Sequence, residues 1–203
     1  MSGVIIVDDF YKNPSEARLL GLNCEYLPSG AGVDGEVCIE SKKSYFSESF
    51  VSKLESLIDH KISFDPAKYA FGVFAKAELK DRSRSRVHID PTDWVGIIYL
   101  NDEINQRGGT TIYKHIETGF EKLPTDTECI NMGIPNQNFF KQEVLRRDSK
   151  KMECWSPIMT IEKKFNRLLL IRANELFHKA SGYFGESAET ARLTQLFFFN
   201  EKK

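Results

Sequence analysis

The sequence predicts a mostly β domain, a double-sheet jelly roll with flanking helices. The first observation is a series of short apolar strands, separated by turn residues, that begins after residue 67. The second is a pair of helix patterns before that point, and the third is the fifteen phenylalanines, which suit a packed barrel interior. A chain of 203 residues is long enough for one domain with a sizeable core.

The N-terminal part, residues 1–66, is predicted to hold one strand and two supporting helices. The strand is Val4–Val7, and the first helix covers about residues 14–22, because proline is tolerated in a first helical turn. Residues 26–35 are rich in glycine and predict a loop. The second helix covers about residues 47–60, where the apolar side chains share one face.

The strands of the predicted core, residues 67–200, are apolar runs bounded by turn or charged residues. They are residues 69–79, 86–90, 95–100, 110–113, 167–171, 177–181 and 192–200. The interval 117–163 between them is the least regular, although residues 138–151 have a helical pattern that Trp155 would anchor. Because long insertions in compact domains are often binding loops or lids, this interval is expected to border a substrate site.

Composition argues against several classes of protein. A net charge of −1 provides no general attraction to nucleic acid or to an anionic membrane. No apolar run approaches the length of a membrane span, and Val4–Val7 is too short for the core of a signal peptide. The four cysteines form no CxxC pair, which favours reduced thiols in a cytoplasmic protein. The basic run of residues 80–86 is better explained as a solvated hairpin loop than as a reader of anions.

Three residues with metal-binding side chains stand beside strand patterns. His88 and Asp90 are two positions apart, so an extended chain points both to one face. His178 follows the apolar run of residues 168–171. Each residue alone is weak evidence, but two histidines and one carboxylate form the facial triad of non-haem Fe(II) oxygenases, which leaves coordination positions open.

The last predicted strand contains a candidate receptor for an anion. Arg192 and Thr194 share one face of it. A buried guanidinium beside a hydroxyl binds a carboxylate through charge-assisted, often bidentate hydrogen bonds. The alternative is a structural ion pair with a nearby acid, which the apolar neighbours of Arg192 make costly unless an anion is always present.

The order of these motifs resembles the Fe(II)/2-oxoglutarate-dependent dioxygenase superfamily. The matching residues are His88-Ile89-Asp90, the distal His178, and Arg192-Leu193-Thr194. The run Tyr99-Leu100-Asn101, followed by Gly108-Gly109-Thr110-Thr111, resembles the prolyl 4-hydroxylase-like branch, and the two ends of the chain are similar to a bacterial and phage group within it. The resemblance covers most of residues 67 to 200.

The resemblance implies a cupin-like double-stranded β-helix, buttressed by the N-terminal helices, in one domain over residues 1–203. It implies that His88, Asp90 and His178 bind Fe(II), and that 2-oxoglutarate and O2 occupy the remaining positions. The far carboxylate of 2-oxoglutarate would meet Arg192 and Thr194. Two further residues are candidate contacts of 2-oxoglutarate. Thr111 has the alternative of an ordinary strand threonine, and Tyr99 has the alternative of a core tyrosine.

The function expected from this resemblance is hydroxylation of a C–H bond in a peptidyl residue, of prolyl type, or in a small metabolite, with succinate and CO2 as coproducts. The retained Asp90 argues against halogenation, because related halogenases replace this carboxylate. The alternatives are a non-catalytic jelly-roll binding or structural protein, and a nucleobase-oxidising dioxygenase. Another histidine, His115, is expected in an exposed loop or facing the substrate. Substrate identity, regiochemistry and oligomeric state are not defined by the sequence.

Overall fold

The larger of two antiparallel sheets organises the fold. The computed structural model describes residues 3–29, 38–101, 108–187 and 189–202, so the loop predicted over residues 30–35 lies outside the described residues. Within these ranges the large sheet has eight strands. In spatial order, seven of them are β1 (Val4–Val7), β9 (Leu168–Ile171), β6 (Trp94–Tyr99), β11 (Arg192–Glu201), β5 (Phe71–Ala77), β3 (Cys38–Ser41) and β2 (Tyr26–Ser29). The eighth, β4 (Ile62–Ser63), pairs with β11 off this path.

The smaller sheet has three described strands, in the order β10 (His178–Ala180), β7 (Thr110–His115) and β8 (Trp155–Ile161). Apolar side chains from both sheets form one buried cluster, in which Tyr99 and Leu169 of the large sheet pack with Ile112 of the small sheet. The prediction of a jelly roll with flanking helices is therefore confirmed.

Two helices cover the outer face of the large sheet. The first, α1, spans Pro14–Asn23, and the second, α2, spans Glu48–Ile58. The Ser47 hydroxyl caps α2 by accepting a hydrogen bond from the Phe50 N–H at 3.2 Å. The residues Phe50, Leu54 and Ile58, spaced four apart, are buried in one core cluster with the large sheet.

The helical insertion after β7 covers the outer face of the small sheet. It contains α3 (Asp126–Asn131), then α4 (Gln137–Phe139), a π-helical segment (Phe140–Leu145) and α5 (Arg146–Asp148), and short 3-10 helices lie at Leu79–Arg84 and Met152–Cys154. Phe140 and Phe177 pack with Trp155, whose indole N–H donates to the Asp148 carbonyl at 2.9 Å. Trp155 therefore anchors the insertion as expected.

Three elements differ from the sequence-based expectation. Strand β8 lies inside the interval that was predicted to be irregular. This edge strand contains Pro157 and most of its middle residues are exposed, so it lacks the alternation of apolar and polar residues by which a strand is predicted. Residues 86–90 form only a single bridge, at His88. Part of the predicted glycine-rich loop forms β2, which pairs with β3.

In the part of the chain that the structure describes, no helix combines the length and the apolar character that a membrane span requires.

Candidate metal centre

His88 and His178 come from segments far apart in sequence that pair through their backbones. The N–H of His88 donates to the His178 carbonyl at 3.0 Å, and the N–H of His178 donates to the His88 carbonyl at 2.9 Å. Two residues that exchange both hydrogen bonds in an antiparallel pair point to the same face. Their imidazole rings accordingly lie together, with centroids 4.4 Å apart.

Asp90 completes the group from the same side. Its N–H donates to the Ala173 carbonyl at 2.8 Å, which fixes the segment after His88. Its Oδ2 lies 3.2 Å from His178 Nε2, and its Oδ1 lies 3.7 Å from His88 Nε2. One donor atom from each of the three side chains lies within 4.8 Å of the others. Separations of this size allow one ion to bind all three donors, as the facial triad requires.

Backbone carbonyls orient both imidazole rings. His88 Nδ1 lies 3.0 Å from the Arg86 carbonyl, and His178 Nδ1 lies 2.8 Å from the Leu176 carbonyl. Because a carbonyl only accepts, each Nδ1 carries a proton, and each Nε2 is left to face Asp90. A second hydrogen bond of this kind is the usual way in which proteins hold a histidine that binds a metal.

The three side chains shift one another's pKa. Burial opposes the charged form of Asp90, but the hydrogen bond from His178 and the charges of both histidines outweigh it and lower the pKa of Asp90. Burial also opposes the charged form of His178, but its hydrogen bond to Asp90 outweighs that effect and raises the pKa of His178. Burial, together with the neighbouring His178, lowers the pKa of His88. A metal ion would replace the proton that His178 and Asp90 share.

The three side chains are unequally exposed, so the centre is open to solvent on one side. Asp90 and His178 are almost completely buried, whereas the side chain of His88 is 25% exposed. The open side of the centre therefore lies at His88, next to the end of the basic run. The side chains of residues 82–84 in that run lie outside the described residues.

Arg192 lies buried at the start of β11, on the inner side of the large sheet. Its Nε donates to the Gly108 carbonyl at 2.6 Å, and its guanidinium lies 5.5 Å from the centre of the Tyr99 ring. Among the described residues no carboxylate is found in an ion pair with Arg192. The structural ion pair weighed as an alternative therefore has no partner within the described ranges.

Two consecutive glycines permit this approach. Gly108 has a φ of +99°, and a Cβ there would lie 2.8 Å from the Phe184 ring and 3.2 Å from Arg192 Cδ. A Cβ at Gly109 would lie 2.0 Å from the Ile161 carbonyl oxygen. The two glycines thus let β7 begin in close contact with both β8 and Arg192.

Tyr99 and Thr194 lie beside Arg192. Thr194 is directly opposite Tyr99 in the β11–β6 pair, and it shares a strand face with Arg192 two residues earlier. The Tyr99 hydroxyl is hydrogen-bonded to the Thr110 hydroxyl at 2.9 Å. The fold therefore brings three of the four predicted cosubstrate-binding residues together: Arg192, Thr194 and Tyr99.

Thr110, which the sequence analysis did not select, faces this group, and Thr111 does not. Thr110 is opposite Ala180 and Ile112 is opposite His178, so Thr110 lies on the same face of the small sheet as His178. Thr111 is opposite Lys179 on the other face, where its hydroxyl is 3.0 Å from that of Thr160. The alternation of side chains was visible in the sequence, but the pairing that decides which face is inward was not.

Two further side chains differ from expectation or were missed. His115 is fully buried at the end of β7, so the expectation of an exposed or substrate-facing position was wrong. The insertion packs over it, which the sequence could not show. Lys163 is 97% buried (3% exposed), with its Nζ 5.5 Å from the centre of the same Phe184 ring that contacts Gly108. No motif pointed to Lys163.

Comparison with known proteins bears on the family and on the fold. The profile of a family described as "Family of unknown function (DUF6445)" matches residues 2–199. No curated protein matches the sequence.

Solved structures of similar fold include a Pseudomonas putida prolyl-4-hydroxylase, which is 12% identical with a TM-score of 0.50; the match covers 99% of this chain and 94% of that one. They also include SnoN, the non-heme alpha ketoglutarate dependent epimerase from nogalamycin biosynthesis, which is 12% identical with a TM-score of 0.50 over 97% of this chain and 78% of that one. At this identity the likeness shows a shared fold, the jelly roll of 2-oxoglutarate oxygenases.

Proposed function

This chain belongs to the DUF6445 family, and we propose that it is an Fe(II)- and 2-oxoglutarate-dependent dioxygenase. The observation that supports the proposal most is the buried group of His88, Asp90 and His178, with both Nδ1 atoms held by backbone carbonyls and both Nε2 atoms facing the carboxylate. This arrangement lies in a jelly roll whose inner face also contains the buried Arg192.

The donor set fits Fe(II). Two imidazoles and one carboxylate on one side of an ion leave the other side open, as non-haem iron oxygenases require. The ionised Asp90 would balance part of the charge of the metal, and the carbonyls of Arg86 and Leu176 would keep both rings in place. Bound Fe(II) would supply the activation of dioxygen, while the protein provides binding and orientation.

Arg192 is proposed to bind the far carboxylate of 2-oxoglutarate. A guanidinium in a buried position forms strong charge-assisted hydrogen bonds, and a dianionic cosubstrate would provide the charge that Arg192 lacks among the described residues. Thr194 and the hydroxyl pair of Tyr99 and Thr110 lie close to Arg192 and would donate or accept hydrogen bonds beside it. The role predicted for Thr111 stays a prediction.

The register of the small sheet supports a cosubstrate of this length. His178 is opposite Ile112, and Thr110 precedes Ile112 by two positions. Two residues of a strand span about 7 Å, which is close to the length of an extended five-carbon dicarboxylate. One end of the cosubstrate would then lie at the metal while the other lies at Arg192 and Thr110.

The substrate is proposed to enter on the side of His88 and to be hydroxylated at a C–H bond. The partial exposure of His88 leaves this side open, whereas Asp90 and His178 are covered. A peptidyl residue of prolyl type is supported by analogy with the P. putida prolyl-4-hydroxylase, which is an argument from fold alone. A small metabolite is the other proposed class.

The experiment that tests the proposal needs no substrate. We would record the anaerobic visible spectrum of the full chain with Fe(II), before and after addition of 2-oxoglutarate, beside His178→Ala as the matched control. A charge-transfer band in the wild type alone is the expected result. A folded wild type with no band would contradict the proposal and favour the non-catalytic binding protein. Affinity for DNA that falls steeply with salt would favour the nucleobase alternative.

A further inference from the structure

A second group of metal-binding side chains lies on the outer side of the small sheet. His115 ends β7, Glu117 follows two residues later, and Asp148 ends α5 in the insertion. One donor atom from each lies within 4.8 Å of the others. His115 and Asp148 are almost completely buried, whereas the Glu117 side chain is 69% exposed. The group therefore runs from the protein interior to the surface.

One buried atom in this group has no hydrogen-bond partner. His115 Nε2 is shielded from solvent and points at Asp148 Oδ2, 3.4 Å away, in a geometry that makes no hydrogen bond. His115 Nδ1 is already hydrogen-bonded to the Thr118 hydroxyl at 2.9 Å. Buried polar atoms in native proteins are almost always hydrogen-bonded, so an unpaired one needs an explanation.

Both groups are in the protonation state that a metal requires. Burial lowers the pKa of His115, which keeps the imidazole neutral at physiological pH. The hydrogen bond from Arg147 lowers the pKa of Asp148 to about 2, so this carboxylate is ionised. A separation of 3.4 Å between an imidazole nitrogen and a carboxylate oxygen is long for a hydrogen bond but normal for two ligands of one ion, since each lies about 2 Å from the metal.

Arg147 provides positive charge to the same carboxylates. Its Nη2 is 2.5 Å from Asp148 Oδ2 and 2.9 Å from Glu117 Oε2, and Lys151 Nζ is 3.2 Å from Asp148 Oδ1. The side chains of Arg147 and Lys151 are both about half exposed, so either one can turn away from Asp148 into solvent. An ion that approached from the surface would compete with the guanidinium of Arg147.

We propose that His115, Glu117 and Asp148 form a second metal site, which takes a divalent transition-metal ion, with zinc as the occupant that suits one imidazole and two carboxylates. The ion would bind His115 Nε2, which has no hydrogen-bond partner, and Asp148 Oδ2, where it would replace the guanidinium of Arg147. Glu117 would close the site at the surface.

The site would connect two parts of the fold. His115 ends β7 and Glu117 lies in the turn that follows it, whereas Asp148 belongs to α5 and its carbonyl accepts the Trp155 indole N–H. An ion between them would tie the helical insertion to the small sheet. The site is structural in this proposal, and it is independent of the iron centre proposed above.

The test counts zinc ions bound by full-length protein that lacks the first centre. In the His88→Ala/His178→Ala background, calorimetry with Zn²⁺ alone should detect one bound equivalent, and zinc should raise the thermal unfolding midpoint. Addition of His115→Gln should abolish this binding. Addition of His60→Gln, at an exposed histidine outside the site, should leave it unchanged.

Substitutions at two exposed residues, Glu117 and Arg147, test the site even if His115→Gln fails to fold. Glu117→Gln should weaken zinc binding at least about tenfold, as loss of a ligand or its support does. Arg147→Gln should strengthen it, because the competing cation is gone. A background variant that binds no zinc, or unchanged affinity in both Glu117→Gln and Arg147→Gln, would overturn the second site. If the second site is overturned but the wild type still binds one ion, and His178→Ala abolishes that binding, the iron proposal remains intact.

Discussion

Two groups that combine buried histidine and carboxylate lie in the part of the chain that the structure describes, and they differ in how their charge is balanced. At His115 and Asp148, the cations Arg147 and Lys151 already contact the carboxylate. At His88, Asp90 and His178, the contacts of the Asp90 carboxylate among the described residues are the two imidazoles. The protein itself therefore balances the charge of Asp148 in the second group, whereas the first group balances Asp90 only by holding a proton on histidine.

This difference separates a reactive centre from a structural one. A centre that must exchange ligands needs open positions and no fixed cation among its donors, which the first group provides. A site that holds two segments together benefits from charge that the protein itself supplies. Changes at the first group and its neighbours should therefore affect turnover and cosubstrate binding, whereas changes at the second group should affect stability.

Replacement of a ligand in the first group should have the largest effect. His178→Ala or Asp90→Ala should reduce succinate formation from 2-oxoglutarate to the level of a protein-free control, because the metal loses one of three ligands. The fold should survive, since the backbone bonds between residues 88 and 178 do not involve side chains. Full succinate formation by His178→Ala would show that the metal assignment is wrong. Glu117→Gln, at the second group, is the matched control and should stay active.

Replacement of Arg192 should weaken cosubstrate binding without removing the metal. Hydrogen bonds to a charged group contribute about 1.5–3 kcal/mol, so Arg192→Ala should raise the Kd for 2-oxoglutarate about 10- to 150-fold. The Kd of Arg192→Lys should lie between those of the wild type and Arg192→Ala, because an ammonium keeps the charge but cannot form the bidentate contact. Titration of the charge-transfer band measures this Kd. Arg167→Ala, which removes a surface partner of Asp8, is the control, and equal Kd values in the Arg192 and Arg167 variants would show that Arg192 is structural.

The two neighbouring threonines should respond differently. Thr110→Val removes a hydroxyl on the face shared with His178, and should raise the Kd for 2-oxoglutarate about 2- to 12-fold, the value of a neutral hydrogen bond. Thr111→Val removes a hydroxyl that bonds Thr160 on the opposite face, and should leave this Kd unchanged. The reverse result would support the predicted role of Thr111 and contradict the role proposed for Thr110.

The second group should produce an acid-dependent loss of stability. The pKa of Asp148 is about 2 in the folded protein and 3.8 ordinarily, so the unfolded chain takes up the proton first as pH falls. The contribution of Asp148 is complete above about pH 4 and is lost between pH 4 and 2. Since its cationic partners are half exposed, we expect a loss of about 1–2 kcal/mol. Denaturant unfolding at pH 6 and pH 2 measures it, and Asp148→Asn should lose less stability over this range than the wild type.

Much of the fold could be predicted because it depends on local patterns. The helix α2 follows from apolar residues that share one face, and Phe50, Leu54 and Ile58 on that face are buried. Strand β11 follows from a long apolar run. Strand β8 could not be predicted, because an exposed edge strand with a proline has neither continuous nor alternating apolar residues.

The sequence by itself determined the donor types and their local spacing. His88 and Asp90 share a side because they are two residues apart in an extended segment, and Arg192 and Thr194 share a face for the same reason. These relations depend on backbone geometry within a few residues, so they hold before any tertiary contact forms.

The tertiary structure alone decided which faces are inward. Thr110 lies inward and Thr111 outward because Ile112 pairs with His178, a register set between strands more than sixty residues apart. His115 is buried because an insertion packs over its strand. The physical reason is that alternation makes adjacent side chains point in opposite directions, but only pairing and packing between distant segments decide which direction is the core.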